Sequence, residues 1–153
     1  MTTLKRGDTA PGFTAFDQHK NRISLGDFRG NKVILYFYPK DDTPGCTAEA
    51  CNLRDNEAKL MEKGFQVIGV SADDEASHKK FSEKFDLAFP LIPDVDKEII
   101  NAYGVWGPKK FMGKTYSGIN RTTFVIDEAG KIDRIFEKVR TGEHAEQILR
   151  EYA

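Results

Sequence analysis

Only two cysteines, one tryptophan and three histidines occur in the 153 residues, and no apolar run reaches the ~18 residues of a membrane-spanning helix. Two cysteines are too few for a disulfide framework. Cys46 and Cys51 are also so close in the chain that joining them closes a very small loop and stabilises little through chain entropy. Neither sign of charge is in excess. The 23 Lys and Arg against 24 Asp and Glu leave −1, with a pI near 6.3, which argues against nucleic acid or an anionic membrane as partner. The stretch Met1–Gly7 has no apolar core of signal-peptide length. The expected compartment is therefore the reducing cytoplasm, where disulfides are seldom architectural. Internal repeats, low-complexity segments and linkers are absent too, so the length points to a single domain over residues 1–153. A chain of this size buries about two-thirds of its unfolded surface, and eleven phenylalanines supply a core.

The strongest local signal is Val33–Tyr38, VILYFY, a nearly continuous apolar and aromatic run of the kind that forms a strand buried on both faces. Pro39 ends it. Before it, two short alternating runs around residues 17–21 predict an N-terminal hairpin. After it, Ala48–Lys63 reads as a helix stopped by Gly64, Phe65–Ser71 as a strand, and Glu75–Phe85 as a helix with Phe81 and Phe85 one turn apart. Phe89–Pro93 reads as a short edge strand and Lys97–Tyr103 as a short helix. Residues 105–120, broken by Gly107, Pro108, Gly113 and Gly118, read as a long loop with at most a short strand near Lys114–Ser117. Thr122–Asp127 and Lys131–Val139 form a hairpin, and Glu143–Tyr152 a last helix. Strand–helix alternation in the centre implies parallel pairing through crossovers, and the terminal hairpin adds antiparallel strands. The expected architecture is α/β, a mixed central sheet with helices on both faces.

Chemistry concentrates where the VILYFY strand hands over to the helix. Thr43 is a good N-cap and Pro44 suits the first helical position. Cys46 then falls in the first turn, where free amide N–H groups and the helix dipole favour a thiolate. Thr43 is close enough to hydrogen-bond the sulfur or an oxygen bound beside it, and Gly45 lets a small ligand approach the backbone. An inert core cysteine is the bland alternative; the coincidence of strand, Pro39, Thr43 and helix start favours a reactive one. Cys51 alone is as readily a buried helix residue. In an intact helix, residues five apart have Cα atoms roughly 8.6 Å apart, beyond the about 7 Å that a disulfide spans. Linking Cys46 to Cys51 therefore requires the first turns to unwind. Cysteines and histidines lack metal-ligand spacing, no Cys-x-x-Cys occurs, and no phosphate loop is present. No metal or cofactor is expected. Lys40, Asp41 and Asp42 read as loop solvation and helix-start charge.

Pro39-(x3)-Thr43-(x2)-Cys46 resembles the peroxiredoxin active-site motif. The string PKDDTPGCTAEACNLRD is similar to the bacterioferritin comigratory protein, or peroxiredoxin Q, subfamily, and the likeness runs from Gly7 to the last helix. It includes Gly118–Asp127, where Arg121 matches the family's active-site arginine. The resemblance implies a thioredoxin-like fold and a thiol peroxidase that reduces hydrogen peroxide and organic hydroperoxides. Cys46 would be peroxidatic and Cys51 resolving, with an intramolecular Cys46–Cys51 disulfide recycled by a thioredoxin-type reductant. Arg121 would stabilise the thiolate and polarise the peroxide, Thr43 would hydrogen-bond it, and Gly45 with the Cys46 backbone would offer an amide donor. Pro39 would shield the sulfur, and Glu49 would orient the arginine. Taken without the resemblance, Arg121 is a solvated strand-end charge and Glu49 a first-turn acid. Phe111 reads as packing for its loop, while Trp106 either packs or lines the peroxide pocket. The resemblance also implies a monomer. A peroxide-sensing or chaperone-like redox switch on the same fold is the alternative function.

Overall fold

Alternation along one strand divides the molecule into two cores. The strand β3 (Lys32–Phe37) sends Val33, Leu35 and Phe37 to one face of the sheet and Ile34, Tyr36 and then Tyr38 to the other, all of them buried. Each aliphatic side chain so buried contributes roughly 1.5–3 kcal/mol. The computed structural model in which this is seen describes residues 2–153; Met1, which opens the N-terminal stretch read above, lies outside the described residues.

Around β3 the chain runs β1 (Thr14–Phe16), β2 (Arg22–Ser24), then after β3 α1 (Pro44–Asp55), α2 (Glu57–Glu62), β4 (Phe65–Ser71), α3 (Glu75–Phe85), β5 (Leu91–Pro93) and α4 (Glu98–Ala102). It ends with β6 (Trp106–Phe111), β7 (Lys114–Ile119), β8 (Thr122–Ile126), β9 (Ile132–Phe136) and α5 (His144–Arg150). The central sheet has the order β5-β4-β3-β8-β9. The β3/β4 and β4/β5 pairs are parallel, and β3/β8 and β8/β9 antiparallel. The mixed sheet expected from the strand–helix alternation is therefore present, with proline-bearing β5 at an edge. Helices α1, α2, α3 and α5 cover the Tyr36 face, while α4 and the β1–β2 hairpin cover the Leu35 face. Gly69 of β4 lies between Tyr36 and Leu91, and a Cβ there would come within 2.9 Å of the Tyr36 ring and 2.7 Å of Leu91. The bare backbone is what lets the tyrosine lie flat on this side.

Three expectations need correction. Residues 105–120 are not a loop: β6 and β7 pair in register from Trp106↔Ile119 to Phe111↔Lys114. The two-residue connection, Met112-Gly113, has positive φ at both positions, the backbone that suits the right-handed twist of a hairpin. Phe111 does not pack its segment; it is 67% exposed. The helix read over Ala48–Lys63 is two helices, starting at Pro44 and separated at Asn56, whose side-chain amide turns back onto the Asn52 carbonyl at 2.8 Å.

Candidate active site

Helix α1 begins at Pro44 with Thr43 as N-cap in extended conformation, so Cys46 is the third helical residue. Thr43 holds the N-cap position read for it, while its hydroxyl donates to the Lys40 carbonyl at 2.9 Å and closes the turn before the helix rather than capping an amide. Pro39, half-buried, leads into that turn. Cys46 packs into the Tyr36-side core at 1% exposure. Cys51 is half-buried, and both thiols are free.

Arg121, between β7 and β8, reaches this point from the far side of the chain. Its Nη2 donates to Cys46 Sγ at 3.4 Å and its Nη1 to Glu49 Oε1 at 2.7 Å. The antiparallel β3/β8 register, Phe37↔Thr122, sets the arginine beside the end of the strand that delivers the cysteine. Gly45 makes the approach feasible, because a Cβ there would lie 3.1 Å from Nη2. The bare glycine thus leaves room for the guanidinium. Burial opposes the charge on Arg121, but Glu49 and Cys46 together outweigh it and hold the group further above its ordinary range.

Glu49 is completely buried. Burial pushes its carboxyl up to about 7, although Arg121 pulls the other way. Its Oε2 has no hydrogen-bond partner among the described residues and lies 3.7 Å from His144 Nε2. The His144 tautomer follows from its neighbours. Nδ1 faces Gln147 Oε1 at 2.9 Å, and that amide is oriented by donating its own N–H to the Lys138 carbonyl. Nδ1 therefore carries the proton, and Nε2 accepts from the Thr123 hydroxyl at 2.8 Å. Burial pulls His144 down to about 4, so the ring is neutral. A neutral acceptor faces the free carboxylate oxygen, an arrangement that disfavours the ionised acid. The buried Tyr36 hydroxyl also lacks a partner among the described residues. Burial first, then the nearby Glu49 and Cys46, push Tyr36 well above its usual range.

Cys46, Gly45, Glu49 and Arg121 of the sequence-derived residues thus meet; Thr43 and Pro39 shape the turn before them, and Cys51 stands about one and a half turns down α1. His144, Thr123 and Tyr36 escaped the sequence reading. A buried histidine opening a helix and a threonine inside a strand carry no local signal of meeting. The expectation for Asp41 is also corrected: it is buried and hydrogen-bonded to Tyr38, Ser77 and His78, not a solvated loop charge. Among the described residues, Asp41, Asp73 and His78 are the one grouping of side chains of metal-binding type, with ligand atoms within 4.8 Å of one another. Those atoms already make hydrogen bonds within the protein. Trp106 is at the margin of exposure and stacks under the Lys97 ammonium, 5.0 Å from the ring centre.

A cysteine held under an arginine, with a buried acid on the arginine's other arm, suits nucleophilic attack on an electrophilic oxygen, and comparison with known proteins agrees. The AhpC/TSA family profile matches residues 6–135. The chain is 46% identical over 149 residues to peroxiredoxin Bcp of Escherichia coli K12, covering 97% of this chain and 96% of that protein. It is 43% identical over 150 residues to a putative peroxiredoxin of Mycobacterium tuberculosis, covering 98% and 96%. Among solved structures, a PrxQ cysteine-to-serine mutant of Xylella fastidiosa superposes with TM-score 0.92 at 29% identity, covering 99% of this chain and 97% of that one. The bacterioferritin comigratory protein of Xanthomonas campestris, studied for alkyl peroxide reduction, gives 0.86 at 31%, covering 99% and 96%. Fold, motif and relatives converge: the chain has the thioredoxin-like fold and belongs to the peroxiredoxins, in the bacterioferritin comigratory protein and peroxiredoxin Q branch of the AhpC/TSA family.

Proposed function

We propose that this peroxidase works through Cys46 as peroxidatic and Cys51 as resolving cysteine, in one domain and one polypeptide, without metal or cofactor. The observation that carries the reading is the guanidinium of Arg121 bridging Cys46 Sγ and Glu49. Its fixed positive charge favours the sulfur anion and offers donors to a peroxide oxygen beside it. The thiolate attacks the terminal oxygen of ROOH, the O–O bond breaks, and the departing alkoxide takes a proton to leave as ROH. Cys46 becomes a sulfenic acid. Thr43, whose hydroxyl oxygen retains acceptor capacity, and the Gly45–Cys46 backbone line the approach, and Pro39 covers it.

Cys51 then displaces hydroxide from the sulfenic sulfur, releasing water and leaving the Cys46–Cys51 disulfide. A dithiol reductant of thioredoxin type exchanges with that bond and carries the disulfide away. For the two sulfurs to meet, the first turns of α1 must open. The remainder of the helix has its own anchor: Asn52 Oδ1 accepts the Ala145 N–H of α5 at 2.7 Å, and Asn52 Nδ2 donates to Glu146 at 2.8 Å. Leu53 is fully buried. Opening is thereby confined to the segment ahead of Asn52. Organic hydroperoxides belong with hydrogen peroxide as substrates by analogy with the Xanthomonas relative. The expected compartment is cytoplasmic; among the described residues no helix is long and apolar enough to cross a membrane.

The test is steady-state peroxide consumption with thioredoxin and its reductase, comparing hydrogen peroxide with an organic hydroperoxide. Sustained turnover abolished by Cys46→Ser is expected. A single turnover ending in a stable oxidised protein would instead support a sensor or chaperone-like switch. Cys51→Ser is expected to stop recycling by thioredoxin, and mass spectrometry of peroxide-treated wild type to show the Cys46–Cys51 link; normal recycling or a missing link refutes the assigned role of Cys51.

A further inference from the structure

His78 of α3 is fully buried, and both of its ring nitrogens face acceptors. Nε2 is 3.0 Å from the Ile92 carbonyl oxygen of β5, and Nδ1 is 2.7 Å from Asp41 Oδ2. A carbonyl only accepts, so Nε2 carries a proton. Asp41 receives the Tyr38 hydroxyl on Oδ1 at 2.6 Å and the Ser77 hydroxyl on Oδ2 at 2.7 Å. Burial works against its ionisation, but the bonds from His78, Tyr38 and Ser77 outweigh burial and hold the carboxyl below its ordinary range.

The ring thus bridges the Asp41 carboxyl and the backbone of the edge strand β5. Tyr38 lies alongside it, with ring centres 6.2 Å apart. Asp73 joins them, accepting the Asp41 backbone N–H at 2.8 Å and the Ser71 hydroxyl at 2.7 Å. Asp42, next in the chain, has φ of 57°, a left-handed conformation that a non-glycine residue keeps only when its surroundings impose it. Lys84 of α3 pairs with the Asp42 carboxylate at 2.8 Å. Two residues later α1 begins, and Cys46 is five residues beyond Asp41. The turn that presents the sulfur is thus fixed from α3 and the edge strand, and neither His78 nor Asp41 makes a hydrogen bond to the sulfur.

We propose that His78 is a positioning residue of the peroxidatic site: its buried ring clamps Asp41, and through Asp41 the Pro39–Thr43 turn that holds Cys46 against Arg121. The inference rests on Cys46 being the nucleophile, and the two ideas fail separately. Turnover surviving in Cys46→Ser sinks that reading, whereas the ring spectra described next bear on the clamp alone.

The full reduced chain serves for the test. In 15N–1H correlation spectra, the His78 Nε2 is expected to carry the proton held to the Ile92 carbonyl; a bare Nε2 overturns the proposal. His78→Gln and Asp41→Asn should each slow oxidation by hydrogen peroxide by about fivefold or more. The double variant should be no slower than the slower single one, since both break a single pair. Smaller single losses, or losses that multiply, overturn it. Where His78→Gln fails to fold, Ser77→Ala takes its place, removing one donor to Asp41 and no charge. A loss of about twofold or more there supports the clamp, and a smaller one overturns it.

Discussion

The buried Glu49 allows a quantitative prediction about stability. Its carboxyl ordinarily titrates at 4.5 and in the folded chain at about 7. Between those values the unfolded chain is ionised while the folded one keeps its proton, so folded stability falls as pH rises. The contribution is fully present below 4.5 and gone above about 7. At about 1.4 kcal/mol per pH unit its full size is about 3 kcal/mol, of which about 2 kcal/mol remains at pH ~5.5 and almost none at pH ~8. The wild-type curve will hide this. His144, pulled from 6.5 to about 4, contributes in the opposite sense, its stabilisation lost as pH falls through that interval. Glu49→Gln separates the two. The assay is urea unfolding of the reduced protein, wild type and Glu49→Gln, at both pH values. The advantage of wild type over the variant should be about 2 kcal/mol larger at the acidic pH, a differential midpoint shift of about 1 M for ordinary urea slopes. An advantage that is equal at both pH values, or larger at the alkaline one, refutes the reasoning. The latter outcome would mean that the Arg121 ion pair outweighs burial and keeps Glu49 charged.

Replacing Arg121 with Lys preserves charge but not the two-armed reach to Glu49 and Cys46; kcat/KM for hydrogen peroxide should fall on the order of 100-fold. His144→Gln should remove an acid-labile contribution, so the stability advantage of wild type over it shrinks as pH drops from 6.5 towards 4, read by the same unfolding assay. Gly69→Ala drives a methyl into Tyr36 and Leu91 and should cost roughly 2 kcal/mol, a Tm fall of roughly 4–8 °C by calorimetry.

Local chemistry was legible in the chain. The VILYFY run, the Thr43-Pro44 start and the position of Cys46 in the first turn rest on neighbours in sequence, and each is where the residues imply. The β6–β7 hairpin was not legible because its turn is Met112-Gly113, and methionine gives no hint of a left-handed backbone. Arg121 could be placed only by family likeness, since 75 residues separate it from Cys46 and the sheet register brings them together. The same holds for Asp41. Its acidic character suggested solvent, and only folding shows the His78 ring and the two hydroxyls that make burial tolerable.

Glu49 lies between the two cysteines on one helix, so under the proposed cycle it would leave its site as the segment opens to join them. Returned to water, a carboxyl that held its proton to about 7 becomes an ordinary acid and gives up about half a proton per molecule at pH ~7. Disulfide formation would then acidify the medium beyond what thiol chemistry alone accounts for, and the midpoint potential of the Cys46–Cys51 couple would slope more steeply with pH across that range. The electron balance of this protein would carry a proton count set by a residue that never touches sulfur.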